Sequence, residues 1–251
     1  MTDQQTSRQT SQRVAQRIWI TGASKGIGAA VARRLAHPKT IMILSARNED
    51  LLNEVASDCM ASVSNASMVH CVMCDVAQAA SVRSAWQTIE LLAGGVDVLV
   101  NNAGVGTFAP LTDLRVEEFD AMLDVNLRGA WMCIKACLPQ MIAQRSGTIV
   151  NINSIAATTT FTGATGYAAS KAGLLALSRS LRQEVREFGV KVLDVLPGAT
   201  ATDIWHPDAL AEHRARMMHP EDVAEALAAL LALDARVMPE ELVLRPQRGD
   251  L

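Results

Sequence analysis

Tyrosine occurs once in this sequence, at Tyr167, and aromatic residues fill only 4% of the 251 positions. Any step that needs a phenol therefore falls to that one residue. Long apolar runs are missing too: no stretch approaches the ~18 consecutive apolar residues of a bilayer-spanning helix, so no membrane span is expected. Neither sign of charge dominates. Lys and Arg number 23 against 26 Asp and Glu, a net charge of −3. Without a basic stripe, nucleic acid is not expected as a partner. Cysteine is sparse and odd in number. Cys59, Cys71, Cys74, Cys133 and Cys137 are scattered through a chain too long to need covalent stapling. Free thiols in a reducing, cytoplasmic compartment are expected. Cys71 and Cys74 have the C-x-x-C spacing but fall in a β-like run, where residues three apart face opposite sides. A redox pair needs a helix start instead, so core packing is the expectation. Cys133 and Cys137 share a helix face with no His or carboxylate cluster to complete a site, so no metal is expected.

What the chain does have is apolar residues, 49% of the total, enough for a substantial core in one large α/β domain. Residues 1–17 are rich in Gln, Ser, Thr and Arg and read as a disordered tail; the folded domain is expected over 18–251. Apolar β-rich runs then alternate with helical patterns. Strands are expected at Ile18–Thr21, Thr40–Leu44, Met68–Cys74, Val96–Val100, Thr148–Ile152, Val190–Leu196 and Glu241–Leu244. The alternation predicts a parallel sheet of about seven strands with helices on both faces.

Three strand ends carry the first chemical signals. The first runs into T-G-A-S-K-G-I-G, where Gly22, Gly26 and Gly28 sit between a strand and an amphipathic helix. Glycine lets the backbone turn tightly and approach a ligand closely, and the helix start offers N–H groups to a pyrophosphate. The second strand ends in Ser45, Ala46 and Arg47. An acid there would suit the ribose 2′-hydroxyl of NAD, whereas Arg47, with Lys25 nearby, suits the 2′-phosphate of NADP. At the third, Asp75 either caps the helix beginning near Ala79 or accepts from an adenine amine; the two roles are compatible.

The fourth strand delivers N-N-A-G, Asn101 to Gly104, at its C-terminal edge. Two asparagines there need partners, so stitching of neighbouring strands and cofactor contact are both expected. Asn126 sits near the head of an apolar helix running to Gln144; a kinked helix with a bound water is one way to satisfy it. Past the fifth strand come Ser154, Tyr167 and Lys171. Tyr167 and Lys171 are four apart at the head of a helix and so share a face. An ammonium beside a phenol favours the phenolate and lowers the phenol pKa from its usual ~10, giving a group that exchanges a proton near working pH. Asp203–Met218 reads as a short lid, and its His206, His213 and His219 as surface residues.

With T-G-A-S-K-G-I-G, N-N-A-G, Asn126, Ser154, Y-A-A-S-K and P-G-A-T-A-T in this order and at these separations, the chain resembles the short-chain dehydrogenase/reductase family. The resemblance covers essentially everything after the tail. It implies a Rossmann domain with strand order 3-2-1-4-5-6-7, hydride transfer with NADP(H), and a small-molecule carbonyl or alcohol substrate. A homodimer or homotetramer is the expected assembly. It implies Tyr167 as general acid/base, Lys171 as its pKa-lowering partner and ribose ligand, Ser154 on the substrate oxygen and Asn126 on a relay water. Gly22, Ser24, Gly26, Ile27 and Gly28 would cradle the pyrophosphate, and Lys25 and Arg47 the 2′-phosphate. Asp75 and Val76 would line the adenine. Asn102, Ala103 and Gly104 would lie along the ribose, and Pro197, Gly198 and Thr202 at the carboxamide. Specificity would sit in Val105–Leu111, Ile155–Gly166 and Asp203–Met218. The ending M-P-E-E-L-V-L-R-P-Q-R-G-D-L looks more like relatives that reduce small carbonyl compounds than like the enzyme rival, a 3-oxoacyl-[acyl-carrier-protein] reductase. A regulator that keeps the pocket without the chemistry is the non-enzyme alternative.

Overall fold

Runs that are apolar on both faces become the inner strands of a single sheet, as burial from both sides requires. The structure, a computed structural model, describes residues 16–62 and 68–250. Its strands are β1 (Gln16–Thr21), β2 (Thr40–Ala46), β3 (Met68–Met73), β4 (Val98–Asn101), β5 (Gly147–Ile152), β6 (Val190–Pro197) and β7 (Glu241–Leu244). All pair in parallel, in the order β3-β2-β1-β4-β5-β6-β7. The inner strands are buried nearly end to end, while the edge strands β3 and β7 keep exposed positions.

The strand period of two divides the core between two layers. Ile18 and Ile20 face one side with Met42, Leu44, Val98 and Val100, against α1 (Gly26–Leu35), α2 (Glu49–Ala61) and α8 (Pro220–Leu231). Trp19 faces the other with Ile43, Leu99 and Ile149. There the cover is α3 (Ala79–Ala93), α5 (Ala130–Ala143) and α6 (Thr165–Val185). The two cysteines of the C-x-x-C spacing are divided the same way. Cys71 packs on the first layer and Cys74 in the second, and burial pushes the Cys74 thiol up to about 11.

Two boundaries differ from expectation. β1 begins at Gln16, so Arg17 belongs to the sheet and not to the tail; the remainder of that tail, 1–15, lies outside the described residues. The second difference is at Asn126. α4 (Val116–Leu123) passes into α5 through a π-helical turn, Asp124–Gly129, so the helices form one continuous rod with a widened turn. A π turn inserts one residue into the helical ladder, and here it carries Asn126 inward. The lid segment holds α7 (Pro207–His213), followed by a 3-10 turn. Among the described residues no helix is long and apolar enough to cross a membrane, and no three His, Cys, Asp or Glu side chains group as a metal site.

Arg17 ties the start of β1 to the turn before β4. Its Nε donates to Asp97 Oδ2 at 3.0 Å and its Nη1 to the Gly94 carbonyl at 2.8 Å. The Arg17 backbone N–H also donates to Asp97 Oδ2, at 2.9 Å. Burial pushes the Asp97 carboxyl upward, but these bonds outweigh it and hold the group below the usual carboxylate range. A depressed native pKa contributes stability that is present above the unfolded value, near ~3.9, and is lost as pH falls through the native one. Asp97→Asn is therefore expected to cost about 2 kcal/mol at neutral pH, with the gap to wild type closing in the acid limb. Chemical denaturation across pH measures it. A gap that stays constant into acid would place the loss in packing rather than charge.

Candidate active site

The strand order reverses direction between β1 and β4, and a crevice opens at the C-terminal ends of strands at such a point. A cavity of ≈ 600 Å³ lies there. Its floor is a knot between two turns. Thr21 Oγ1 accepts from the backbone N–H groups of Asn102 and Ala103, at 3.0 and 3.1 Å. Asn102 Nδ2 donates back to the carbonyls of Thr21 and Gly22, at 3.1 and 2.9 Å. The fit leaves no room for side chains. Gly22 has φ +62°, and a Cβ on it would stand 2.7 Å from Ala103 Cα. A Cβ on Gly28 would stand 2.4 Å from the Gly22 carbonyl oxygen. Asn102 thus stitches, as one of its two expected roles, and also lines the cavity.

Above the knot, α1 begins without a side-chain cap, whereas α2 is capped by Asn48 Oδ1 accepting from Leu51 N–H at 2.9 Å. Ser24, Lys25, Gly26 and Ile27 line the cavity at that uncapped start. Arg47, Asp75, Val76, Pro197, Gly198 and Thr202 line the same cavity. Asp75 Oδ1 accepts from Ala77 N–H at 3.0 Å, closing a turn just before α3. Ala103 and Gly104 complete the wall beside Asn102. Lys25 is engaged differently from expectation: its Nζ pairs with Asp203 Oδ2 at 2.9 Å, between two exposed side chains.

Ser154, Tyr167 and Lys171 all line this cavity. β5 and the 3-10 turn after it place Ser154, whose Oγ accepts from Ala156 N–H at 3.1 Å. The first turns of α6 place the other two. Lys171 is 4% exposed, with Nζ donating to the Ile152 carbonyl at 2.9 Å and standing 5.8 Å from the centre of the Tyr167 ring. The expected lowering of the phenol pKa is not what this environment produces. Burial pushes Tyr167 up to about 12, with the Ser154 hydroxyl beside it acting in the opposite direction. Burial likewise pushes Lys171 down to about 8, against the attraction of Asp194. Desolvation is the largest influence on each of the two groups.

Two expected site residues stand behind the wall rather than in it, Gly28 and Asn126. Asn126 finds protein partners through both ends of its amide. Its Oδ1 accepts from Val105 N–H at 2.8 Å, and its Nδ2 donates to the Val105 carbonyl at 2.8 Å and Ser170 Oγ at 3.0 Å. His206, His213 and His219 do not line the cavity.

Sequence reasoning missed a buried polar chain beneath the centre. Asn153 Oδ1 accepts from Ser154 N–H at 3.0 Å, and its Nδ2 donates to Asp194 Oδ1 at 3.2 Å. Ser178 donates to the same carboxylate oxygen at 2.9 Å, and Arg182 Nη2 reaches Asp194 Oδ2 at 3.3 Å. Asn151 and Asn101 extend the chain toward β4. Burial pushes the Asp194 carboxyl up to about 6. The signal was a single acid in the apolar run V-L-D-V-L, which burial obliges to find partners.

The architecture has close counterparts among known proteins. The profile of the short chain dehydrogenase family matches residues 16–213. A sepiapterin reductase of Chlorobaculum tepidum is 36% identical, over 93% of this chain and 97% of its own. An uncharacterized oxidoreductase of Staphylococcus haemolyticus is 34% identical, over 90% and 95%. Among solved structures, an alcohol dehydrogenase from the archaeon Thermococcus sibiricus, complexed with 5-hydroxy-NADP, superposes with a TM-score of 0.85 at 32% identity, covering 94% of this chain and 98% of that one. A metagenomic short-chain oxidoreductase in complex with NADP gives 0.80 at 32% identity, covering 93% and 97%. On the family match and the two long relatives, this chain belongs to the short chain dehydrogenase family of oxidoreductases.

Proposed function

We propose that this chain is an NADP(H)-dependent carbonyl reductase, reversible as an alcohol dehydrogenase, acting on a small or medium ketone or aldehyde. The observation that carries the reading is the convergence of Ser154, Tyr167 and Lys171 in one cavity. The residues present fit a nicotinamide dinucleotide. The uncapped start of α1 suits a pyrophosphate. Among the residues that line the cavity, Asp75 and Val76 would hold an adenine, Asn102, Ala103 and Gly104 a ribose, and Pro197, Gly198 and Thr202 the carboxamide end. When bound, the reduced cofactor supplies the hydride.

The protein's part is orientation and a proton. A phenol held near 12 keeps its proton at neutral pH, so Tyr167 arrives as an acid able to protonate a carbonyl oxygen. Ser154 accepts one N–H through its oxygen, and its hydroxyl, beside the Tyr167 phenol, would turn its proton to that same carbonyl. Lys171 supplies positive charge beneath the phenol, stabilising the anion that forms when the proton leaves. Asn126 holds the Val105 backbone against α6 through Ser170, and its Oδ1, which accepts one of these bonds, keeps a second lone pair for a relay water.

The preference for NADP(H) rests on the end of β2. Ala46 and Arg47 occupy the ribose-facing position, with no acid to accept from a 2′-hydroxyl. Two structural relatives are complexed with NADP-type ligands. Lys25 gives one of its three N–H donors to Asp203 and would join Arg47 in this role through the others. A cytoplasmic location accords with free Cys59, Cys71, Cys74, Cys133 and Cys137. A homodimer or homotetramer accords with the exposed Val116 and Trp131 on the joined helices α4 and α5.

Two substitutions test the reading. Tyr167→Phe is expected to lower kcat by about 10²–10⁴-fold while NADPH affinity, measured by calorimetry, stays nearly unchanged; turnover within a few fold of wild type would remove the residue from the chemistry. Arg47→Asp is expected to lower the NADPH-to-NADH ratio of kcat/KM by about tenfold or more, the worth of one charge-assisted hydrogen bond. An unchanged ratio would move phosphate recognition elsewhere.

A further inference from the structure

The chain holds four Phe, four Trp and one Tyr. Four of these nine rings, Phe108, Phe161, Tyr167 and Trp205, line the one cavity. Three of them form a continuous wall. The Phe108 ring lies 5.3 Å from the Tyr167 ring, tilted by 55°, and 5.9 Å from the Trp205 ring, nearly parallel at 12°. The wall therefore runs from the phenol out to Trp205, two residues before α7. Phe108 is 43% exposed, although it sits among apolar residues. An aromatic ring left open in a concave site is surface held ready for a ligand.

Trp205 is fixed in place. Its Nε1 donates to the Thr200 carbonyl at 3.0 Å, and Thr200 bridges to Met218 on the far side of the lid. The indole N–H is thus already used, and what Trp205 offers the cavity is ring surface. Around Tyr167, the side chains of Met122, Ala156, Val105, Phe161 and Ile204 add further apolar contact.

We propose that the carbonyl compound taken by this site carries a flat conjugated substituent, an aryl group on the carbonyl carbon, which lies along Phe108 and reaches Trp205. The proposal rests on the reductase reading for the position of the carbonyl, beside Ser154 and Tyr167. In the reaction the carbonyl carbon takes the hydride, with its two electrons, from the reduced nicotinamide, which leaves oxidised. The C=O π pair moves onto oxygen, and that oxygen takes the Tyr167 proton, giving the alcohol. The wall selects by stacking. An aromatic pair gains about 0.5–1.5 kcal/mol beyond its buried area, a factor of about two to twelve in affinity, whereas a saturated ring of the same size gains only the area.

Acetophenone and cyclohexyl methyl ketone make the comparison, since they share a carbon skeleton and differ in planarity and π surface. On the full chain loaded with NADP⁺, a ketone binds without reacting, so calorimetry reads affinity apart from chemistry. Acetophenone is expected to bind about two- to twelvefold more tightly. Phe108→Leu and Trp205→Leu should each shrink that ratio toward one, and the ratio of the two kcat/KM values with NADPH should shrink alongside it. Phe108 is exposed enough that its replacement leaves the fold intact, which thermal unfolding checks. Equal binding of the two ketones, or a ratio that both variants leave untouched, overturns the proposal while turnover of both ketones keeps the reductase reading standing. No turnover of either ketone by wild type overturns the reductase reading, and the binding ratio then decides the aromatic wall by itself.

Discussion

Holding an ammonium beneath the protein surface is the constraint on which the centre of this molecule depends. Lys171 is 4% exposed, and its charge is kept by one carbonyl at the end of β5 and by the field of Asp194. A buried cation without such partners gives up its proton. The surrounding sequence is arranged to prevent that. β5 ends where the Ile152 carbonyl meets the ammonium, and β6 carries an acid into the apolar layer below. Asn153 joins the two, binding Asp194 with one end of its amide and the Ser154 backbone with the other. The geometry of Ser154 and the charge of Lys171 are thereby set by the same buried carboxylate.

A second constraint shapes the cavity around that centre. The turn after β1 and the turn after β4 interlock through Thr21, Asn102 and Gly22 so closely that side-chain atoms are excluded at Gly22 and Gly28. A rigid floor of this kind leaves the N–H groups at the start of α1 pointing at whatever binds there, at no cost in reordering the loop. Elsewhere in the cavity lining Lys25 and Asp203 pair across exposed surface. An exposed pair of this kind contributes little to stability, so the lid is held mainly by Trp205 and by the Thr200–Met218 bridge.

The strands, the two-sided sheet and most of the cavity lining were legible in the sequence, because each rests on a local pattern. Largely apolar runs mark β4 and β6, and a glycine cluster between strand and helix marks the floor. Tyr167 and Lys171 share a face by spacing alone. What was not legible depends on depth and on distance along the chain. Spacing places an ammonium near a phenol but says nothing of how much water remains, and here burial reverses the expected direction of the Tyr167 shift. Asn126 was expected at the cavity, yet a π turn, which leaves no compositional mark, carries it behind the wall. Lys25 meets an acid 178 residues away. The segments around Phe108 and Trp205 were recognised as specificity regions, but the contact between their rings arises only once the lid folds over the loop.

Because Tyr167 is the only tyrosine, its ionisation can be read directly from the phenolate absorbance of the whole protein. The central claim is that burial, rather than the neighbouring ammonium, governs this phenol in the protein without cofactor. The account predicts no phenolate signal until pH approaches about 12, well above the ~10 of a free tyrosine. A titration completed below that ordinary value, and shifted upward by Lys171→Met, would show that the ammonium dominates and would contradict the account.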